Sequence, residues 1–198
     1  MAFPGLMVLR QGLMSRLTIG IGGLLALGFT TAQSLRDAMP AASLPAMQAG
    51  QPIEAGRWQV AIRQAAVGFT PRPDGYKGRP GTKMVSVDLD LMNRSSESSN
   101  VVSRILSFDP PVTGLAASPA VYLLRDGTIL GALQPGLPER LRMVWELPEA
   151  APVPETIRLV VTGETFKPRD NLLAAPGWFN PKPVATVSLP LRSGSDGA

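Results

Sequence analysis

The chain has 198 residues, 19 Lys or Arg against 15 Asp or Glu, a formal net charge of +4, and neither Cys nor His. Without Cys there is no disulfide framework, thiol nucleophile or thiolate metal site. Without His, the side chain that titrates nearest neutrality and most often ligates metals is missing, which excludes most hydrolase triads and zinc sites.

The N-terminal region comes first in the chain and in information. Residues 17–32 read LTIGIGGLLALGFTTA and carry no charge. Arg10 and Arg16 precede them; Arg36 and Asp37 follow and cancel. This asymmetry predicts an N-terminus in the cytoplasm and the remainder of the chain on the far side of the membrane. A spanning helix takes about 20 residues. The stretch reaches that length over residues 13–35 when Arg16 snorkels to the headgroups. The expected organisation is therefore a cytoplasmic tail over 1–12 and a single-pass signal anchor over 13–35, with the cytoplasmic membrane as first partner. The alternative is a signal peptide cleaved after Thr30-Thr31-Ala32, which leaves a secreted or periplasmic protein. No Cys follows, so a lipid anchor is excluded.

Residues 36–52, RDAMPAASLPAMQAGQP, are rich in Ala and Pro and lack apolar periodicity, and predict an extended spacer. The domain is expected over 53–192, with a flexible tail over 193–198. Arg10, Arg16 and Arg36 less Asp37 account for +2 of the net charge, leaving +2 for the rest of the chain. That is too little for a nucleic-acid partner, which calls for a concentrated basic face.

From Arg57 the pattern has period two. Trp58, Val60 and Ile62 alternate with Arg57, Gln59 and Arg63; Val85, Val87, Leu89 and Leu91 alternate with Ser86, Asp88 and Asp90. Leu141, Met143, Trp145 and Leu147 repeat the pattern, as do Ile157, Leu159 and Val161, then Val187, Leu189 and Leu191. Successive strand side chains face opposite ways, so each run predicts one core face and one wet face. Residues 101–108 predict another strand. Residues 121–124 and 128–133 flank Arg125-Asp126-Gly127, a hairpin turn. About eight short strands with turn signals between them, and 20 Gly and 20 Pro overall, predict an all-β, two-sheet antiparallel sandwich with Trp58 and Trp145 in its core. Three long connections remain: residues 70–82, 93–100 and 167–183.

Gly56-Arg57-Trp58-Gln59-Val60 reads as the start of a strand, VSVDLDLMNRS as a strand ending in Asn-x-Ser, and Leu133-Gln134-Pro135-Gly136 followed by LRMVWELP as a Pro-Gly turn, an apolar strand and a closing Pro. Together these resemble the bacterial telokin-like, immunoglobulin-like extracytoplasmic domains, a family of mostly unknown function, over roughly residues 51–192. The resemblance implies an immunoglobulin-like β-sandwich outside the membrane, used for binding or assembly. It supplies no catalytic residues.

The sequence offers few sites for chemistry. Asp88 and Asp90 lie two apart on one wet face, but a calcium site wants about six oxygens, and cross-strand Arg partners such as Arg140, Arg142 or Arg158 are the simpler expectation. The loop over residues 70–82 gathers Arg72, Lys77 and Arg79 around Tyr76 and suits an anionic envelope ligand. Residues 172–179, LLAAPGWF, are apolar for a loop, and Trp178 and Phe179 suit a protein contact, insertion at a bilayer surface or a lid on the sandwich. Asn93-Arg94-Ser95 fits the N-glycosylation pattern, which is common by chance. The serines that follow have no base nearby. No enzyme activity and no cofactor are expected. A carboxylate-dependent glycan hydrolase is the enzymatic alternative, with Asp88, Asp90, Glu146 and Glu164 as its acids. The reading is a membrane-tethered interaction module of the envelope with an envelope protein partner, and its alternative a cleaved, secreted ligand-binding sandwich.

Overall fold

The strictest alternation in the chain, residues 85–91, lies at the centre of the fold. The computed structural model describes residues 43–68, 73–76, 78–172 and 174–193. Its strands are β1 (Ala46–Met47), β2 (Ile53–Ala55), β3 (Trp58–Gly68), β4 (Thr82–Asn93), β5 (Leu106–Phe108), β6 (Ala120–Leu123), β7 (Pro138–Pro148), β8 (Thr156–Lys167) and β9 (Gly177–Ser193). Val85, Val87, Leu89 and Leu91 on β4 are all fully buried. Each such side chain contributes about 1.5–3 kcal/mol on leaving water.

Hydrogen bonding runs continuously in the order β5-β8-β9-β3-β4-β7-β6, with β1 added to β9 and β2 to β3. Residues from β3, β4 and β7 nevertheless share one apolar cluster with residues from β8 and β9. The sheet therefore folds over on itself, and its two halves face each other as a β-sandwich. The seam is short: Ala65, Ala66 and Val67 of β3 pair in parallel with Leu191, Arg192 and Ser193 of β9. Trp58 and Trp145 both lie in this core. The Trp58 indole N–H is satisfied by the Val101 carbonyl at 3.2 Å, as a buried indole requires.

The alternation is interrupted once, with effect. β3 carries a bulge between Ile62 and Gln64, so Arg63 and Gln64 are both exposed while Ile62 and Ala65 both face the core. An extra residue in one strand re-aims side chains in this way. It brings Arg63 onto the same face as Asp90.

Several boundaries differ from the sequence expectation. The strand expected over 101–108 is formed only at Leu106–Phe108, and residues 128–133 make isolated bridges at Ile129 and Leu133 rather than a strand. The spacer expected over 36–52 is structured from residue 45: the Pro45 carbonyl accepts from the Thr186 N–H at 2.9 Å, and Ala46 and Met47 pair with Thr186 and Val187. A two-residue strand carries no period, so composition alone hid it. The long connection expected over 167–183 is mostly hairpin, since β8 runs to Lys167 and β9 begins at Gly177. The tail over 1–12, the anchor over 13–35, the start of the spacer and residues 194–198 lie outside the described residues. Among the described residues, no helix is long and apolar enough to cross a membrane.

Candidate functional site

The paired acids of β4 have partners across the strands. Register sets Asp88 opposite Arg142 and Asp90 opposite Arg140. Arg142 donates to both Asp88 oxygens, at 2.6 and 2.8 Å, and Gln64 adds a third bond at 2.9 Å. Arg140 Nε donates to Asp90 at 3.1 Å and Arg63 Nε at 2.8 Å. These bonds to Asp88 raise the Arg142 guanidinium above its ordinary value, outweighing the lowering by burial. Burial alone raises the Asp90 carboxyl, but hydrogen bonds and charge from Arg63 and Arg140 hold it below the ordinary 3.8. The other acids of the hydrolase reading also have partners: Glu146 pairs with Arg79 at 3.8 Å and Glu164 with Arg57 at 3.6 Å. Asp88 and Asp90 share one ladder on β4, Glu146 lies further along the neighbouring β7, and Glu164 stands on β8, each with an Arg partner. Arg158, expected to meet this ladder, pairs with Asp109 instead.

This ladder has a measurable signature. A carboxyl held below its ordinary value stabilises the fold above that value, and the stabilisation is lost as pH falls through the folded-state pKa. Asp90→Asn is expected to cost about 0.5–1 kcal/mol at neutral pH, the scale of a partly exposed ion pair. The gap between variant and wild type should close well below pH 3.8. Urea unfolding at both pH values measures it; a gap that persists in acid would assign the loss to packing instead.

The basic loop is only partly described: Arg72 and Lys77 lie outside the described residues. Tyr76 is about one-third exposed, in a turn where its N–H donates to Asp74 Oδ1 at 3.1 Å. Arg79 is largely exposed and reaches Glu146. The loop folds back on the sandwich, for a Cβ on Gly127 would come within 2.7 Å of the Pro73 carbonyl oxygen.

The aromatic segment differs most from expectation. Trp178 and Phe179 stand on β9, and successive residues of a strand point to opposite faces. Trp178 is opposite Phe166 of β8, with ring centroids 5.4 Å apart. Phe179 faces the other way, with the Lys167 ammonium 5.6 Å from its ring. The two aromatics are thus not one contact surface.

The Trp178 side of the hairpin forms a cleft of about 480 Å³. Arg57 is its hub. The guanidinium lies 5.7 Å from the Trp178 ring, donates to Ser99 Oγ at 3.2 Å and pairs with Glu164. Arg57 stands there because the β2–β3 turn closes tightly over β8. At Gly56 the backbone has φ +73°, and a Cβ would lie 1.8 Å from the Glu164 carbonyl oxygen. Only glycine fits both the left-handed conformation and the contact.

The far wall is the serine-rich connection after β4, organised by Asn93. That side chain is fully buried. Its Nδ2 donates to the Glu97 carbonyl at 2.7 Å and the Leu133 carbonyl at 2.9 Å. Its Oδ1 accepts from the Ser95 N–H at 2.9 Å and the Ser95 hydroxyl at 2.6 Å. Both amide hydrogens are used, so in the folded chain Asn93 does not offer itself for glycosylation. The Asn-x-Ser pattern is a local fold device. Phe166 is 51% exposed on the cleft rim.

Sequence reasoning identified Trp178 but missed Arg57, Phe166 and the 94–99 wall. Phe166 was legible in principle, as Thr165 and Phe166 continue β8 with strand-forming residues. Arg57 was not, since its partners are remote in the chain.

No family model and no curated protein matches the chain. Among solved structures, an uncharacterized beta-sandwich protein from Clostridium difficile 630 aligns with TM-score 0.51 and 9% identity, over 77% of this chain and 97% of that one. Fold and comparison agree on the class: the described region is a β-sandwich.

Proposed function

We propose that this chain is an extracytoplasmic interaction module, held at the cytoplasmic membrane by residues 13–35 and contacting another envelope component through the Arg57–Trp178 cleft. The observation that carries this is the cleft itself. A tryptophan is braced by Arg57 and Phe166 while its neighbourhood stays open, and such fixed aromatics dominate binding surfaces. The finer immunoglobulin-like, telokin-like reading has support in strand order. Strands β3-β4-β7-β6 opposite β5-β8-β9 correspond to the seven-strand arrangement ABED over CFG. Two of the motifs behind the resemblance, Gly56-Arg57-Trp58 and Asn93-x-Ser95, meet at the cleft. No catalytic role is assigned. The basic loop around Tyr76 and Arg79, with Arg72 and Lys77, remains part of the proposal as a second, charge-dependent contact.

The test is photocrosslinking in native membranes from a reactive residue at exposed Ser96, which lines the cleft. A reproducible adduct with an envelope component is expected, lost about tenfold or more in Trp178→Ala while thermal unfolding stays near wild type. No adduct, or one indifferent to Trp178, overturns the cleft as the contact. Mass spectrometry of the mature chain tests the tether: an N-terminus at Gln33 replaces the anchored form by the cleaved one.

A further inference from the structure

The cleft's chemistry narrows its ligand, given that the cleft is the contact surface proposed above. Its charges balance. Arg57 is paired with Glu164 at 3.6 Å, and exposed Arg94 and Glu97 contribute one charge of each sign on the opposite wall. A balanced site favours a neutral ligand over an anionic polymer or headgroup, which would be drawn by net positive charge. The far wall also departs from the composition of a protein interface. Ser and Glu are depleted at protein interfaces, yet this wall carries Ser95, Ser96, Ser98 and Ser99 with Glu97.

Two kinds of group remain available. One is aromatic: the Phe166–Trp178 pair, with Phe166 half exposed. The other is hydrogen-bonding. Ser95, Ser98 and Ser99 already hold partners within the chain. Among the described residues the Arg94, Ser96 and Glu97 side chains hold none, although they line the same cleft. A guanidinium, a hydroxyl and a carboxylate supply donors only, both, and acceptors only. That set meets adjacent hydroxyls, which each donate and accept. The volume, about 480 Å³, falls in the ~300–1,000 Å³ range of small-molecule sites.

A ligand with an apolar C–H face, a rim of hydroxyls and no charge is a pyranose. We infer that the cleft between the β8–β9 hairpin and the 94–99 loop binds a neutral saccharide. One ring stacks on the Phe166–Trp178 pair, and its hydroxyls are bonded by Arg94, Ser96 and Glu97. Amino-sugar glycans and plain glucans share this chemistry.

The test uses the full chain in detergent, titrated by calorimetry with a β-1,4-linked N-acetylglucosamine disaccharide and, separately, with cellobiose. Binding of either is expected, and the stronger of the two identifies the glycan source. Affinity should change little with added salt, because no net charge is neutralised. Trp178→Ala and Glu97→Gln should each weaken it by about tenfold, and Glu149→Gln, on an exposed turn at the other end of β7, should not. Ser96→Ala, on an exposed loop side chain, separates lost binding from lost folding. Heat from neither sugar, or binding indifferent to Trp178 and Glu97, overturns the saccharide. If the Ser96 crosslink then still captures a protein in a Trp178-dependent way, the interaction module stands and only its ligand class falls. If the crosslink fails as well, both readings fall.

Discussion

Replacing Gly56 by Ala is expected to destabilise the sandwich by about 3 kcal/mol or more, lowering the melting temperature by roughly 10 °C. Two costs combine. The backbone at Gly56 is left-handed, with φ +73°, a conformation in which a Cβ is strained. The added Cβ would also sit 1.8 Å from the Glu164 carbonyl oxygen and 2.8 Å from its carbon. Neither is a flexible side-chain end, so the β2–β3 turn must lift away from β8. That movement carries Arg57 with it, because Arg57 is the next residue and its guanidinium rests 5.7 Å from Trp178. Thermal unfolding measures the stability, and the difference in emission between Gly56→Ala and Gly56→Ala/Trp178→Phe isolates Trp178 from Trp58 and Trp145 and reports the displaced arginine. A melting temperature within about 2 °C of wild type, less than one kcal/mol on this scale, would show that the turn is not held as described.

Asn93→Ala is the second large effect. It removes four hydrogen bonds from a fully buried site. The two carbonyls it serves keep other donors: Ser95 Oγ reaches Glu97 O at 2.9 Å, and Ser99 N reaches Leu133 O at 3.1 Å. The Ser95 N–H loses the acceptor that held it. The expected cost is about 2–3 kcal/mol, between one buried unsatisfied group and several. Asn93→Asp separates bonding from packing. It keeps the shape and the acceptor toward Ser95, but an ionised carboxylate cannot donate to two carbonyls. At neutral pH it should be at least as damaging as Ala. Denaturant unfolding gives the magnitude, and hydrogen exchange at Ser95 shows whether the 94–99 wall loosens with it. An Asp variant as stable as wild type would mean that the two donated bonds contribute nothing.

These two residues also mark how far the sequence could be read. Alternation by itself determined the strands of the core and which of their side chains face inward. Val85, Val87, Leu89 and Leu91, Leu141 to Leu147 on alternate positions, and Ile157, Leu159 and Val161 are buried as their period requires. The reason is local: a strand's side chains alternate whatever lies across the sheet. The same period put Asp88 and Asp90 on the face away from the core, beside a strand rich in Arg, but that face is not simply wet: Asp88 is buried beneath its bonds to Arg142 and Gln64. Period two could not locate strands too short to show it, such as β1, nor the bulge at Arg63, which breaks the period. It also could not tell that residues 177–183 continue a hairpin, because Pro181 and Pro183 read as loop residues. Trp178 and Phe179 were read as one patch because they are adjacent, yet strand geometry puts them on opposite faces. The cleft was decided by tertiary structure alone. Arg57, the 94–99 loop, Phe166 and Trp178 belong to separate turns, and they meet because strand pairing brings those turns to one end of the sandwich. Gly56 and Asn93 carried recognisable motifs in the sequence, but what each motif does depends on a carbonyl from elsewhere in the chain, Glu164 for one and Leu133 for the other. Contacts of that kind follow from how the sheet folds over, and no local pattern encodes them.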